Sequence, residues 1–135
     1  MSAAATGWTS WLRLVRPPNL PTVPGDPLAG FVLALGIGGT WDIRILWVML
    51  ASLAIYGCGL ILNDVADYEV DLRERPKRPI PCGAVRKLHA LLAGLLLGAA
   101  GIALAYQAGM MALVAASLLL ALVLIYDFLM PRGSV

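Results

Sequence analysis

The sequence has few charged residues and few of the side chains that usually bind soft metals. Only 13% of its 135 residues are charged, and the formal net charge is +2. Without a stripe of basic and aromatic residues, so small a charge gives no indication of a nucleic-acid partner. Cys58 and Cys82 form no C-x-x-C motif, and His89 has no histidine or cysteine partner at ligand spacing. These absences argue against an ordinary soluble domain and against a cysteine–histidine metal site.

Apolar residues make up 60% of the sequence, and the mean hydropathy is +0.83. Long apolar runs predict an all-α polytopic membrane protein, because about twenty helical residues cross the ~30 Å hydrocarbon layer. An amphipathic helix at residues 8–16 is expected to lie in the membrane interface, with Trp8 and Trp11 at headgroup level, and it is not a signal peptide. We predict four transmembrane helices, at about residues 20–39, 45–62, 88–106 and 110–130.

Basic residues are distributed unevenly between the two ends of these spans. Most of them precede the first span, separate the second from the third, or follow the fourth: Arg13, Arg16, Arg73, Arg75, Lys77, Arg78, Arg86, Lys87 and Arg132. Only Arg44 falls on the opposite side. By the positive-inside rule, we expect the N-terminus and the polar loop 63–87 to be cytoplasmic, at the inner membrane in a bacterial protein.

The polar loop begins with a concentration of acidic residues, from Asn63 to Asp71. At about 100° per residue, Asp64, Asp67 and Asp71 would lie within an arc of roughly 60° on one helix face. Neighbouring carboxylates ~6 Å apart repel by nearly 3 kcal/mol at an effective dielectric of about 20. A divalent cation would remove that repulsion, and such hard oxygen ligands suit Mg²⁺. The alternative interpretation is a solvated acidic cap at the membrane edge.

A basic run from Arg73 to Arg78 follows the acidic stretch. Carboxylates that hold a metal, next to cations that neutralise phosphate, are what a magnesium diphosphate site needs. The simpler alternative is a basic cytoplasmic loop, or a contact with anionic lipid. Prolines and a glycine then stiffen the loop, at Pro76, Pro79, Pro81 and Gly83.

Together these motifs resemble the UbiA superfamily of intramembrane prenyltransferases. The pattern N-D-x-x-D-x-x-x-D at residues 63–71 and the segment R-P-I-P-C-G at residues 78–83 are similar to the acidic and basic motifs of that family. The segment R-P-P-N at residues 16–19 resembles its R-P-x-N start, and Tyr126 is a weaker match to a tyrosine near the end of the fourth helix.

The resemblance implies transfer of an isoprenyl group from a prenyl diphosphate to an acceptor inside the bilayer, with Mg²⁺ as cofactor. It implies three catalytic aspartates: Asp64, Asp67 and Asp71. Together with Asn63 they would hold the metal. It implies substrate-binding roles for Asn19, Asn63, Arg73, Lys77, Arg78 and Tyr126. The metal and the cations would stabilise charge on the leaving diphosphate, while an apolar cavity keeps water from the carbocation.

Members of the family have more transmembrane helices than this chain and a second aspartate-rich motif. The acids outside the first motif are Asp26, Asp42, Glu74 and Asp127, and they form no such motif. We therefore expect the N-terminal part of the enzyme, with the rest supplied by a missing C-terminal half or by a second polypeptide. The alternative is a non-catalytic membrane subunit or small transporter. Asp127 itself is interpreted either as a substrate contact or as a helix-end acid facing water, and we expect the second.

Overall fold

The computed structural model describes residues 7–129, and every regular element in that range is helical. This confirms the predicted all-α class; residue 130, the predicted end of the fourth span, lies outside the described residues. The elements, in chain order, are α1 (Trp8–Val15), a 3-10 helix (Pro17–Thr22), α2 (Gly25–Gly36), α3 (Arg44–Ala66), α4 (Tyr68–Glu74), α5 (Lys87–Ala108) and α6 (Met110–Leu129).

Three helices in the described range are long and apolar enough to cross a membrane. Helices α3, α5 and α6 have 23, 22 and 20 residues and mean hydropathies of 2.3, 2.1 and 2.4. By contrast, α2 has 12 residues, so it rises only ~18 Å of the ~30 Å required. Four continuous spans are therefore not confirmed. Pro21 and Pro24 account for the interruption, because proline lacks the N–H that would continue an α-helix.

Residues 17–43, which contain this interruption, nevertheless run from one end of the helical bundle to the other. Leu14 of α1 packs beside Ile61 and Val65 at one end of α3, whereas α3 begins with Arg44 at the other end. Residues 17–43 therefore connect the two ends of α3. At the far end, Arg44 donates to Asp42 from its Nε at 2.7 Å and from its backbone N–H at 2.9 Å. Both hydrogen bonds lower the pKa of the Asp42 carboxyl, and the side-chain bond has the larger effect.

Glycines of α5 allow it to pack closely against α3. A Cβ on Gly94 would lie 2.6 Å from Cδ2 of Leu62, and one on Gly101 would lie 2.7 Å from Cγ1 of Ile55. Such small residues let the backbones of membrane helices approach closely. On the outer face of the bundle the large side chains are exposed, among them Leu95, Leu96, Leu118 and Leu122, as expected for contact with lipid.

An apolar cluster ties α1, α3, α5 and the loop 75–86 together. Besides α1 and α3 residues it contains Ile80 and Val85, each 3% exposed, and Ala90 of α5. Gly83 takes a positive φ of 78° in this loop, and the N–H of Val85 donates to the carbonyl of Pro79 at 2.9 Å. The loop after α4 is therefore a packed part of the fold, and it fixes the basic residues at its start beside the end of α3. We call this end of the bundle the motif end.

Candidate active site

The acidic stretch lies where α3 gives way to α4. Helix α3 ends at Ala66, Asp67 has φ −77° and ψ 0°, and α4 begins at Tyr68. The backbone hydrogen bonds continue across this junction, from the N–H of Asp67 to Asn63 at 2.9 Å and from the N–H of Asp71 to Asp67 at 2.8 Å. The segment predicted as a polar loop at 63–87 is thus largely helical in its first half. It departs from ideal helix geometry at the middle aspartate.

Arg78 joins the first and last aspartates of the motif. Its Nη1 donates to Oδ2 of Asp71 at 2.7 Å and to Oδ1 of Asp64 at 3.2 Å. Two further guanidinium groups approach the same carboxylates, with Arg16 at 3.5 Å from Asp64 and Arg75 at 3.9 Å from Asp71. Both carboxylates are buried, since Asp64 is 5% exposed and Asp71 only 1%. Charge-assisted bonds of this kind hold their partners in a defined geometry.

The middle aspartate has a different partner. Asn63 donates from Nδ2 to Oδ2 of Asp67 at 3.1 Å, and both residues are half-buried. The spacing predicted Asp64, Asp67 and Asp71 on one face. In the structure Asp64 and Asp71 both bind the guanidinium group of Arg78, while Asp67 pairs with the side-chain amide of Asn63.

The oxygen atoms of the motif have the chemistry that Mg²⁺ prefers, since carboxylates and an amide carbonyl are hard ligands. Among residues 7–129, however, no three acidic, histidine or cysteine side chains converge as a metal-binding group. Arg78 lies between two of the predicted ligands, which explains why the carboxylates do not form a common cage. The donor types fit a magnesium ion. They lie in two sets, Asn63 with Asp67, and Asp64 with Asp71.

Two cavities adjoin the motif, one on each side of the Asn63–Asp64 pair. The first, which we call the basic cavity, has a volume of about 540 Å³; Asp64 is part of its wall, with Arg13, Arg16, Arg75, Lys77 and Arg78. The second, the apolar cavity, has a volume of about 830 Å³; Asn63 is part of its wall, with Tyr56, Leu119, Val123, Tyr126 and Asp127. Arg16 contributes to both. A charged site and an apolar site therefore meet at the start of the motif.

The sequence profile of the UbiA prenyltransferase family matches residues 27–135. The chain belongs to this family. The match includes the whole acidic stretch, the Arg78 segment and both helices that follow. It confirms the resemblance that the motifs indicated.

Similar proteins of the UbiA family are named digeranylgeranylglyceryl phosphate synthases. That of Thermococcus gammatolerans is 38% identical over 96 residues, or 71% of this chain and 34% of the relative. That of Pyrococcus furiosus is 35% identical over 124 residues, or 87% of this chain and 42% of the relative. The matched part of the chain thus spans between about a third and two fifths of the length of these relatives. No solved structure matches it.

The first and last residues of the R-P-P-N segment at 16–19 are placed differently with respect to the two cavities. Asn19 is exposed in the 3-10 helix, its carbonyl accepts from Thr22, and within residues 7–129 it lines neither of the two cavities. Arg16 lines both cavities and pairs with Asp64. The sequence did contain a signal for Arg16. An arginine directly before two prolines lies at the end of a helix, and the turn that follows fixes the position of its backbone.

The remaining predicted residues are distributed over both cavities and the surface. Lys77 and Arg78 line the basic cavity and Tyr126 lines the apolar one, whereas Arg73 is exposed on α4 and lines neither. The expectation that Asp127 faces water is wrong, because it is 4% exposed and forms part of the wall of the apolar cavity. Its position inside a predicted span was the signal, since ionisable residues there usually face a bundle interior.

Proposed function

We propose that this chain forms the N-terminal part of an intramembrane prenyltransferase. In the proposed reaction the carbon–oxygen bond of an allylic prenyl diphosphate breaks, and the diphosphate leaves with the electron pair. A nucleophilic atom of the acceptor then bonds to the carbocation and loses a proton. The observation that carries this proposal is the meeting of a basic cavity and an apolar cavity at Arg16 and the Asn63–Asp64 pair. A prenyl diphosphate has a matching anionic head and apolar tail.

The basic cavity suits the diphosphate. Arg13, Arg75 and Lys77 in its wall add positive charge where negative charge grows on the leaving group, and fixed cations stabilise such charge without reorganising. Arg16 stands at the boundary and is suited to hold the head while the tail enters the apolar cavity. That cavity is within the usual range of ligand sites, and its apolar wall would keep water from the carbocation.

We further propose that Mg²⁺ assists, held by oxygen atoms from the set Asn63, Asp64, Asp67 and Asp71. When bound, the ion would supply positive charge that the cavity cations alone lack, opposite the negative charge of the diphosphate. The donor chemistry of the motif supports this proposal.

The names of the relatives favour one acceptor class. Because several relatives are named digeranylgeranylglyceryl phosphate synthases, we propose a geranylgeranyl donor and a prenylated glyceryl phosphate product for this chain too. An aromatic acid, a quinone precursor or a tetrapyrrole fits the relatives' names less well. We further propose that groups outside this chain complete the site.

The motif end is proposed to face the cytoplasm. Most basic residues of the chain lie there, whereas Arg44 at the far end of α3 is paired with Asp42. The positive-inside rule favours that orientation. A phosphorylated donor made in the cytoplasm would then reach the basic cavity directly.

Calorimetry with geranylgeranyl diphosphate and purified protein in lipid nanodiscs tests the function. We expect binding that requires Mg²⁺. We also expect Asp67→Asn to raise the Mg²⁺ concentration for half-saturation about tenfold or more, because substitution of a group that holds or orients a metal commonly lowers metal affinity that much. Glu69→Gln is the matched control, since it removes an exposed carboxylate two residues away. Binding that proceeds equally well in EDTA, or that Asp67→Asn leaves unchanged, would contradict the proposal and favour a non-catalytic role.

A further inference from the structure

We propose that a small cavity next to the apolar cavity holds the last isoprene unit of a geranylgeranyl chain, and that the alanines in its wall thereby select the length of the prenyl donor. We call this cavity the end chamber. The inference rests on the proposed function, which it deepens by naming the residues that select the donor. The end chamber has a volume of about 160 Å³. Six residues line the end chamber and not the apolar cavity: Val48, Ala51, Ala105, Ala112, Ala115 and Ala116.

The end chamber begins where the apolar cavity ends. Ser52, Ile55 and Leu119 line both. From Ser52 toward the motif end, α3 lines the apolar cavity as far as Asn63. From Ser52 toward the far end, α3 lines the end chamber as far as Val48. The two cavities therefore follow one another along a single face of α3.

Helix α6 repeats this order in the opposite chain direction. Asp127 lines the apolar cavity beside the motif end, Leu119 lines both cavities, and Ala112 lines only the end chamber. The end chamber thus lies deeper in the bundle than the apolar cavity, between α3 and α6, with Ala105 of α5 in its wall. A tail that enters beside Asn63 and follows the two helices reaches the end chamber last.

The length of this path decides how many isoprene units it holds. At about 1.5 Å per residue, α3 rises about 16 Å from Asn63 to Ser52 and about 22 Å from Asn63 to Val48. Each isoprene unit adds four carbon–carbon bonds of about 1.5 Å to the main chain, so an extended farnesyl tail is about 15 Å long and an extended geranylgeranyl tail about 20 Å. A farnesyl tail therefore ends within the apolar cavity. The fourth unit of a geranylgeranyl tail extends into the end chamber.

The size and chemistry of the end chamber suit one hydrocarbon unit. An apolar cavity of about 150 Å³ can bind benzene, and an isoprene unit has one carbon fewer. Among the described residues of its wall the only polar side chain is Ser52, whose hydroxyl donates to the carbonyl of Met49 at 2.8 Å. That bond satisfies the hydroxyl within its own helix. The end chamber therefore offers a place to hydrocarbon and none to a charged acceptor group.

Selection here has to come from shape. A tail that leaves the protein enters lipid, which is as apolar as the wall, so burial alone gives little preference for the longer donor. Steric exclusion is different, because a side chain that fills the end chamber leaves the fourth unit no place. Leucine adds three carbons to alanine, and at about 30 Å³ for a water-sized group these take about 90 Å³, more than half of the chamber.

The alanines differ in how well they tolerate such a change. Ala51 and Ala105 are 3% and 1% exposed and belong to a packed apolar cluster, so a larger side chain there would disturb the fold itself. Ala112 is half-buried and Ala115 is exposed. These two positions can fill the end chamber without displacing the core.

Calorimetry with farnesyl and geranylgeranyl diphosphates, in nanodiscs with Mg²⁺, tests the end chamber. We expect Ala112→Leu to weaken geranylgeranyl diphosphate binding about tenfold or more and farnesyl diphosphate binding by less than about twofold. Ala112→Val, with two added carbons, should fall between wild type and the leucine variant for the longer donor only. Ala103→Leu is the matched control, because Ala103 is exposed on α5 and lines neither cavity. It should leave both affinities unchanged.

Ala115→Leu repeats the measurement at an exposed position of the same wall, and it decides the question if Ala112→Leu does not fold. Thermal unfolding of each variant establishes that it is folded. Equal weakening of the two donors in a folded variant, or no weakening of either, would overturn the end chamber and leave the prenyl donor site intact. Wild-type protein that binds neither donor would overturn the proposed function, and the end chamber with it.

Discussion

At the scale of single residues, the motif shows how far spacing alone can predict a site. Residues 64, 67 and 71 fall on one face of an ideal helix, and that prediction depends on a helix without interruption. Helix α3 ends at Ala66, directly before Asp67, and Arg78, outside the acidic run, pairs with Asp64 and Asp71. The pairing of an acid with a base 7 or 14 positions later follows from the path of the loop, which no local pattern specifies.

Arg16 provides a test of how backbone and side chain contribute at one position. It has φ 48° and ψ 67°, the left-handed conformation, which costs a residue with a Cβ about 1 kcal/mol or more. We expect Arg16→Gly to be more stable than Arg16→Ala by about 1 kcal/mol, because glycine relieves the backbone and both lose the guanidinium. Both should weaken diphosphate binding by about tenfold.

Unfolding in denaturant and calorimetry measure these two effects separately. Arg16→Lys, which retains a positive charge, should recover part of the binding and none of the backbone relief. Equal stability of the glycine and alanine variants would show that the left-handed conformation is not strained. Full binding in all three would show that Arg16 does not contact the diphosphate.

At the scale of helices, the apolar runs predicted the elements α3, α5 and α6 well. Their length and composition are enough, because about twenty apolar residues suffice to cross the hydrocarbon layer. The first predicted span was harder to judge from composition. Pro21 and Pro24 were visible in the sequence, but whether prolines kink a helix or divide it depends on the packing around them. The glycines of α5 are visible in the sequence, whereas the contacts that each of them makes with α3 are not.

The α3–α5 contact predicts unequal effects of glycine substitutions. A Cβ at position 101 would meet Cγ1 of Ile55 at 2.7 Å and the carbonyl oxygen of Ala51 at 3.3 Å, so Gly101→Ala should destabilise the fold by about 1–3 kcal/mol. Gly30→Ala in α2 is the matched control. A Cβ there would meet nothing within 4 Å, so the change should be neutral or stabilising by up to about 1 kcal/mol. Unfolding of both variants in mixed micelles measures the difference, and similar effects would exclude tight packing at Gly101.

At the scale of the whole molecule, the chain is a UbiA family bundle in which the basic and the apolar cavity lie beside one end of α3. Family membership, the helical class and the place of the motif between α3 and α5 all follow from sequence. Sequence did not predict that the basic loop is packed into the apolar cluster through Ile80 and Val85, because that depends on how α1 folds back over α3. A loop so anchored serves as one wall of the basic cavity and holds the backbone of its cationic residues there.

The orientation of the bundle is the prediction that belongs to this largest scale. The positive-inside rule places the basic motif end, with the exposed Cys82, in the cytoplasm, and the turn before α3 on the other side. In sealed inverted membrane vesicles a membrane-impermeant maleimide should therefore label Cys82. In intact cells it should label Cys82 only after permeabilisation, because a membrane then separates the reagent from the thiol. A Thr40→Cys, Cys82→Ser variant is the matched control, since residue 40 is exposed between α2 and α3 and should give the reverse pattern. Labelling of Cys82 from outside intact cells would invert the orientation, and the basic cavity would then open away from any diphosphate made in the cytoplasm.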